Sequence, residues 1–333
     1  MPHPAIPPRI AVYGAAGHTG RFVVRALLDR GFAVLALGRD AGRLDQAGLP
    51  AGVQTGVADL ADRAALDHHL AATFAVVNCA GPFLDTAGPL ADAALRAGVH
   101  YLDVTAEQDS ARRLHDRAAE ARSAGIVMIP AMSFWGGLAD LLVTATLADW
   151  THADAIRIGA ALDSWEPTPG TRLTGQRNTV PRLTVSDGRL SPLTGPAGPE
   201  TWAFGGGFGT QDMVELPFSE MILIASHLTV PTVRHFLNAA PLADLRNPDT
   251  PPPTPRDSSG RSAQRFRVEV EVRQGEVVRR AAVEGRDIYG VTGPIVAEAV
   301  TQMVLNPPPP GVHAPGAVFD APAFLKALEP HLL

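Results

Sequence analysis

Cysteine is almost absent. The single thiol in this 333-residue chain, Cys79, rules out an internal disulfide and fits a reducing compartment. Long apolar runs are missing as well. No stretch approaches the ~20 uninterrupted apolar residues of a membrane span. The opening "MPHPAIPPRI" has no charged segment leading into an apolar run, so it does not read as a signal peptide. Charge of one sign is never massed: the formal net charge is -6 without a block of like charges. A nucleic-acid or anionic-membrane footprint is therefore not expected. No His/Cys cluster has zinc spacing, so no metal site is predicted. There is neither a Gly-x-Ser-x-Gly elbow nor a phosphate loop ending in Lys-Ser/Thr. The expectation is a soluble, cytoplasmic protein acting on a small molecule. Four prolines among the first eight residues predict an extended arm before the first strand.

What is present suffices for a large core: 46% of the residues are hydrophobic and 19% charged. Up to residue 130 short apolar runs alternate with helical patterns. "RIAVYG" (9–14), "FAVLALG" (32–38), "VQTGVADL" (53–60), "FAVVNCAG" (74–81), "HYLDVT" (100–105) and "IVMIP" (126–130) read as strands. Helices are expected over 18–30, 63–72, 89–97, 107–123 and 137–148. Such alternation predicts a Rossmann-type doubly wound parallel sheet with helices on both faces, and all-apolar strands suit a sheet covered on both sides. After about residue 152 the rhythm changes. "AIRIGAAL" (155–162) is a strand, "PRLTVSDGRLSPL" (181–193) a hairpin turning at Asp187-Gly188, and 220–237 extended or mixed. "RFRVEVEVRQGEVVRRAAVEG" (265–285) is a strong hairpin. This predicts a second α+β domain with a largely antiparallel sheet. It is interrupted by a proline-rich loop at 247–260, read as mobile. The expected division is residues 1–150, 151–290, and a helical tail 291–333, with its return to the first domain left open.

The chemistry starts at "GAAGHTG". Gly14, Gly17 and Gly20 are spaced G-x-x-G-x-x-G between a strand and a helix, one residue longer at the front than the usual dinucleotide fingerprint. Gly14 lets the chain leave the strand sharply, Gly17 admits a pyrophosphate, and Gly20 lets the helix pack close. With Ala15, His18 and Thr19 they make the expected cradle, and the helix start directs free N–H groups at the anion. At the end of the second strand, "LGRD" places Arg39 before Asp40. A guanidinium suits a 2′-phosphate, so NADP is favoured over NAD. The other reading of Arg39 is a solvated strand-end charge. Asp59 and Leu60 are candidates for the adenine, with a helix N-cap as the alternative for Asp59. Ala80, Gly81, Pro82 and Phe83, after the fourth strand, let backbone approach the ribose and nicotinamide. Cys79 reads as a small packed residue.

In order and spacing, "YGAAGHTGRFVVRALLDRG", "LGRD", "VVNCAGPF" and "AALRAGVHYLDVTAE" resemble the saccharopine dehydrogenase-like NADP-binding oxidoreductase family, and "GRDIYGVTGPIVAEAV" (285–300) resembles its C-terminal segment. The resemblance implies a Rossmann domain, an α/β domain for substrate and often for dimer contact, and pyridine-nucleotide chemistry. The chain departs from that family's amino-acid enzymes at "PAMSFWGGLADLL" (130–142), where Phe134 and Trp135 lean toward a more apolar substrate.

Proton transfer must come from side chains near the strand ends. Asp103 and Glu107, in "HYLDVTAEQ", are the candidates. Their alternatives are a buried structural carboxylate and a first-turn helix acid. His100, His227, His235 and Tyr289 are further donors, each read as structural. "FGGGFG" (204–209) is read as a loop over the substrate cleft. Two functions stay open: an NADP-dependent oxidoreductase, with a homodimer as one option for its assembly, and a non-catalytic nucleotide sensor on the same fold.

Overall fold

The computed structural model describes residues 7–195 and 198–332. The predicted N-terminal arm falls largely outside the described residues. The first half runs β1 (Arg9–Tyr13), α1 (His18–Asp29), β2 (Ala33–Gly38), α2 (Ala41–Asp45), β3 (Gln54–Val57), α3 (Arg63–Leu70), β4 (Ala75–Asn78), α4 (Phe83–Ala97), β5 (His100–Asp103), α5 (Gln108–His115), α6 (Ala118–Ala124) and β6 (Val127–Ile129). A kinked turn over Phe134–Leu138 precedes α7 (Ala139–Leu147). There follow β7 (Ala155–Leu162), α8 (Pro169–Arg177), β8 (Leu183–Ser186), β9 (Arg189–Pro192), β10 (Glu200–Phe204), β11 (Gly209–Glu215), α9 (Glu220–His227), β12 (Thr232–Asn238), α10 (Pro241–Arg246), β13 (Arg265–Gln274) and β14 (Val277–Arg286). The chain closes with α11 (Thr292–Leu305), β15 (Gly311–Val312), α12 (Pro315–Val318) and α13 (Ala321–Leu328).

The first sheet is parallel throughout, in the order β15-β6-β5-β4-β1-β2-β3. Alternate residues of the inner strands enter different cores. Ile10, Val12, Val34 and Ala36 join one cluster, and Ala11, Tyr13, Leu35 and Leu37 the opposite one. This two-sided burial is why the strands read as unbroken apolar runs. The second sheet, β10-β11-β12-β7-β13-β14 with the β8–β9 hairpin beside β12, is mostly antiparallel, with one parallel pair, β12 and β7. Val268, Val270 and Val272 from β13 and Ile156 and Ile158 from β7 join the same buried cluster as Ile10 and Val12, so one core crosses from sheet to sheet. Helix α11 packs directly on α1. A Cβ on Gly293 would sit 2.6 Å from the Phe22 carbonyl oxygen, so the close approach requires glycine. Buried Asp140 on α7 ties in two further elements, α12 and α9, accepting from Gly316 N–H at 2.7 Å and lying 2.7 Å from Nε2 of His227.

Several sequence expectations change here. The helix expected over 107–123 is two helices. At the break Arg117 N–H takes the Leu114 carbonyl in a tighter turn, and its guanidinium binds Asp92 and Glu120. Helix α4 starts at Phe83, with Pro89 inside it. Residues 220–227, read as extended or mixed, are helical. The all-apolar run "MILI" has no period of its own to separate helix from strand. "FGGGFG" is the turn between β10 and β11 and lies against Arg265, Arg267 and Glu284 on the β13–β14 hairpin, where Gly205 N–H bonds the Glu269 carboxylate. It does not cover the cleft. The 247–260 loop is tethered, with Arg172 bonding the carbonyls of Asn247 and Thr250 and Arg25 that of Ser258. Among the described residues no helix is long and apolar enough to cross a membrane.

Two glycine substitutions separate packing from propensity. Gly293→Ala is expected to cost about 1–3 kcal/mol by overpacking the α1–α11 contact. Gly175→Ala, on α8 with nothing within 4 Å of the added Cβ, is expected to stabilise by about 0.5–1 kcal/mol. Urea midpoints of both variants against the parent test this.

Candidate functional site

The glycine turn sits at the carboxyl end of β1. Its N–H groups at Gly14 and Ala15 bond the Leu37 carbonyl of β2 at 2.9 and 3.2 Å, and Gly17 N–H bonds the Gly14 carbonyl at 2.9 Å. Gly14 has φ +82, and a Cβ there would lie 2.8 Å from Ala80 N. A Cβ on Gly20 would lie 2.2 Å from the Gly14 oxygen. At Gly17 an added Cβ meets only that oxygen, at 3.1 Å, so its face is otherwise open. Gly17 caps α1 without a side-chain bond, and the first turn of α1 carries no acid. The leading amides of α1, at His18, Thr19 and Gly20, therefore have no intrahelical acceptor and no neighbouring carboxylate in the turn. These residues fit an anionic dinucleotide backbone: a cradle that side chains would fill, open amides, and the positive end of a helix. The His18 side chain turns away toward the second domain, edge-on to Phe22 and Tyr289 at 5.3 and 5.4 Å. Burial lowers its pKa, and the Asp287 charge offsets part of that.

At the end of β2 the two charges part. Asp40 accepts from Arg43 N–H at 3.0 Å and caps α2. Arg39 is exposed and forms no ion pair among the described residues. Asp59 bonds Ala61 N–H in a local turn at 2.8 Å, while the cap of α3 is Asp62. The N-cap alternative for Asp59 is thereby corrected, since the helix begins three residues further on. Tyr13 lies between these charges, its hydroxyl donating to the Ala58 carbonyl at 3.1 Å. Burial raises its pKa, the Asp59 charge adds to this, and Arg39 opposes it. Leu60 packs, half-buried, on the core beneath.

The turn after β4 is held from inside. Ala80 N–H donates to the Asn78 side chain at 3.0 Å, and Gly81-Pro82 is a cis peptide. Glu107, only 1% exposed, accepts from Phe83 N–H at 2.8 Å and Leu84 N–H at 3.2 Å. Its carboxylate thus meets the N-terminus of α4. Burial raises its pKa, and these two bonds work against that. Asp103, fully buried, accepts from Ala131 N–H at 2.7 Å, Thr105 N–H at 3.1 Å and the Tyr101 hydroxyl at 3.0 Å. Burial lifts its carboxyl to about 6 against these bonds. Both sequence candidates for proton transfer are thus tied to backbone amides. Burial and then the Asp103 charge push the Cys79 thiol well up, so it stays protonated.

The remaining donors divide. His100 accepts from Val127 N–H at 3.0 Å at the start of β5, and His227 pairs with Asp140. The Tyr289 hydroxyl lies 2.9 Å from Thr171 Oγ1 and accepts from Trp165 Nε1 at 3.1 Å. From Trp165 rings continue through Trp135 to Phe218 and His235. Sequence reasoning missed Trp165, Phe218 and Glu220, which come together only through tertiary structure and carry no local motif. A surface hollow of about 640 Å³, lined by Arg9, Gln54, His68 and His69, opens at the amino end of the strands, away from this crevice.

Residues 10–129 match the family model described as the saccharopine dehydrogenase NADP binding domain. That match takes in most of the first domain and about a third of the chain. A probable mitochondrial saccharopine dehydrogenase-like oxidoreductase of Arabidopsis thaliana is 30% identical over 161 residues, which is 42% of this chain and 35% of the plant protein. The match thus spans about a third of that relative. Apo saccharopine dehydrogenase (L-Glu forming) from Saccharomyces cerevisiae superposes with a TM-score of 0.67 at 13% identity, covering 98% of this chain and 99% of the yeast chain. GenD2 from gentamicin A biosynthesis, solved with NAD, gives 0.50 at 16% identity over 99% and 94%. The two-domain fold is therefore that of saccharopine dehydrogenase.

Asp103 gives this site a measurable pH signature. An acid whose folded pKa is raised holds its proton in the native state after the unfolded chain has lost it, so its contribution falls as pH rises from about 4 to about 6. The expected swing is on the order of 3 kcal/mol. Asp103→Asn should flatten that limb. Asp103→Ala should destabilise by about 3 kcal/mol or more, because it strands two buried amides. Urea unfolding between pH 4 and 7 tests both.

Proposed function

We propose that the chain is an NADP-dependent oxidoreductase that moves a hydride to or from a small, largely apolar organic substrate. The observation that carries this reading is the pairing of the open α1 amides with an exposed, unpaired Arg39, while Asp40 is withdrawn into the α2 cap. The description of the matching family, an NADP-binding domain, supports the phosphate-bearing cofactor. The name of the plant relative and that of the yeast structure support dehydrogenase chemistry.

In this reading Gly14, Ala15, Gly17, His18, Thr19 and Gly20 hold the pyrophosphate through backbone. Arg39 forks onto the 2′-phosphate, and Asp59 and Leu60 border the adenine. Ala80, Gly81, Pro82 and Phe83 face the nicotinamide ribose. The bound nucleotide supplies the hydride. Asp103 and Glu107 serve by position, holding the turns at 131–132 and 83–84 at the crevice. That commitment also favours the second reading, a nucleotide sensor, because it removes both sequence-chosen acids from chemistry.

Titration of the purified protein with NADPH and NADH is the test. NADPH should bind much more tightly. Arg39→Ala should erase roughly 10- to 100-fold of that preference, the worth of a charge-assisted bond. An unchanged NADPH/NADH ratio would show that Arg39 does not meet the 2′-phosphate, and equal millimolar binding of both would sink the cofactor assignment.

A further inference from the structure

We infer that the crevice contains an aromatic-walled substrate chamber whose acid–base group is His235, oriented by Glu220, and that its substrate is a flat conjugated or aromatic aldehyde, ketone or imine. This rests on the oxidoreductase reading above.

His235 lies on β12 and is 2% exposed. Its Nδ1 is 2.6 Å from Glu220 Oε1, an oxygen that also accepts from Phe218 N–H at 2.7 Å. A carboxylate there fixes the proton on Nδ1 and leaves Nε2, on the far side of the ring, as the working nitrogen. Among the described residues Nε2 has no hydrogen-bond partner, nor does Glu220 Oε2, and both atoms are buried. Each such atom costs about 1–3 kcal/mol when left unpaired, and native interiors rarely keep two side by side. As core filler the pair makes little sense: Val233 and Leu237, two residues to either side on the same strand, fill the core with plain hydrocarbon.

The surroundings tell what the free nitrogen faces. The Trp135 and Phe218 rings lie 5.9 and 5.7 Å from the His235 ring, and Trp135 stacks on Phe218 at 4.2 Å. Trp165 stands 5.6 Å from Trp135 and reaches Tyr289, which meets His18 of the glycine turn. A continuous wall of rings therefore joins the nucleotide cradle to His235. The chain segment bearing Phe218 and Glu220 is seated on the carboxyl ends of β5 and β6. Ser219 Oγ between them lies 3.0 Å from the Thr105 carbonyl and 2.9 Å from that of Trp135. Open α/β sheets present their ligands at that edge. Arg182, over the Phe218 ring at 4.9 Å, balances the Glu220 charge. Flat rings with one proton-transferring nitrogen suit a planar apolar molecule with a single polar unsaturated group.

In the reducing direction the substrate carbon gains the hydride, the π pair of its C=O or C=N moves to oxygen or nitrogen, and that atom takes the proton from Nε2. The imidazole is left neutral and recovers a proton from water. In the oxidising direction Nε2 accepts the same proton.

The probe is 4-nitrobenzaldehyde, an aromatic aldehyde that quenches tryptophan emission. Without nucleotide, wild-type emission should quench saturably, and Trp135→Leu should weaken the saturation at least about tenfold. In protein labelled with ¹⁵N at histidine, the His235 Nε2 resonance should move on adding the probe, and Glu220→Gln should shift the His235 tautomer balance in the absence of probe. With NADPH, His235→Gln should lower kcat by about 100-fold or more with KM little changed, as loss of a general acid requires. Unsaturable quenching or an unmoved Nε2 signal overturns the chamber. Wild-type kcat in His235→Gln, or saturable binding with no NADPH oxidation by the wild type, overturns the acid–base role. Failure to bind NADPH with saturable quenching intact overturns the cofactor reading and leaves the chamber standing.

Discussion

Three turns meet at the carboxyl edge of the first sheet, and one buried carboxylate holds two of them in register. Asp103 ends β5, and its oxygens take the amides of Thr105 and Ala131 and the hydroxyl of Tyr101. Its own carbonyl takes Met132 N–H at 2.7 Å. Through Tyr101 the network reaches Asn78, whose side chain braces Ala80 in the third turn. Leaving such a group unpaired in the interior would cost several kcal/mol, so these turns keep one arrangement. Trp135 and the backbone at Ala80 inherit their positions from it.

Around the crevice, negative side chains are spent elsewhere. Asp40 caps α2, Asp62 caps α3, and Glu107 meets the start of α4. Each carboxylate neutralises a helix end that would otherwise compete for an anion. Helix α1 keeps its positive end bare, and Arg39 keeps its fork free. These three acids thus leave the glycine turn to its open amides, in a chain whose net charge is -6.

How much of this could be read in the sequence follows from the range of the interactions. Strands β1, β2, β4, β5 and β6 were legible because burial on both faces makes them largely apolar, whereas β15 was not, lying in the stretch read as a helical tail. The β8–β9 turn was legible because Asp187 and Gly188 adopt positive φ. The glycine cradle is likewise local. Helix α9 was not legible, since its apolar run fits either periodicity. Glu107 looked like an acid of its own helix because its partners at Phe83 and Leu84 lie 24 and 23 residues back. The parallel pairing of β12 with β7 and the meeting of Glu220, His235, Trp135 and Trp165 rest on contacts between distant segments, and no short pattern encodes them.

The edge of the first sheet carries a consequence for how the molecule is made. Its outermost strand, β15, pairs Gly311 and Val312 with Val127 and Met128 of β6. The sheet that opens at residue 9 is finished only some 300 residues later. A chain emerging from synthesis would hold β6 as an open edge until the whole of the second sheet had been made, and open edges invite wrong partners. Cutting between the two sheets would make that exposure permanent. The nucleotide-binding half is therefore separate in chemistry but not in assembly: it reaches its final form last, although it comes first in the chain.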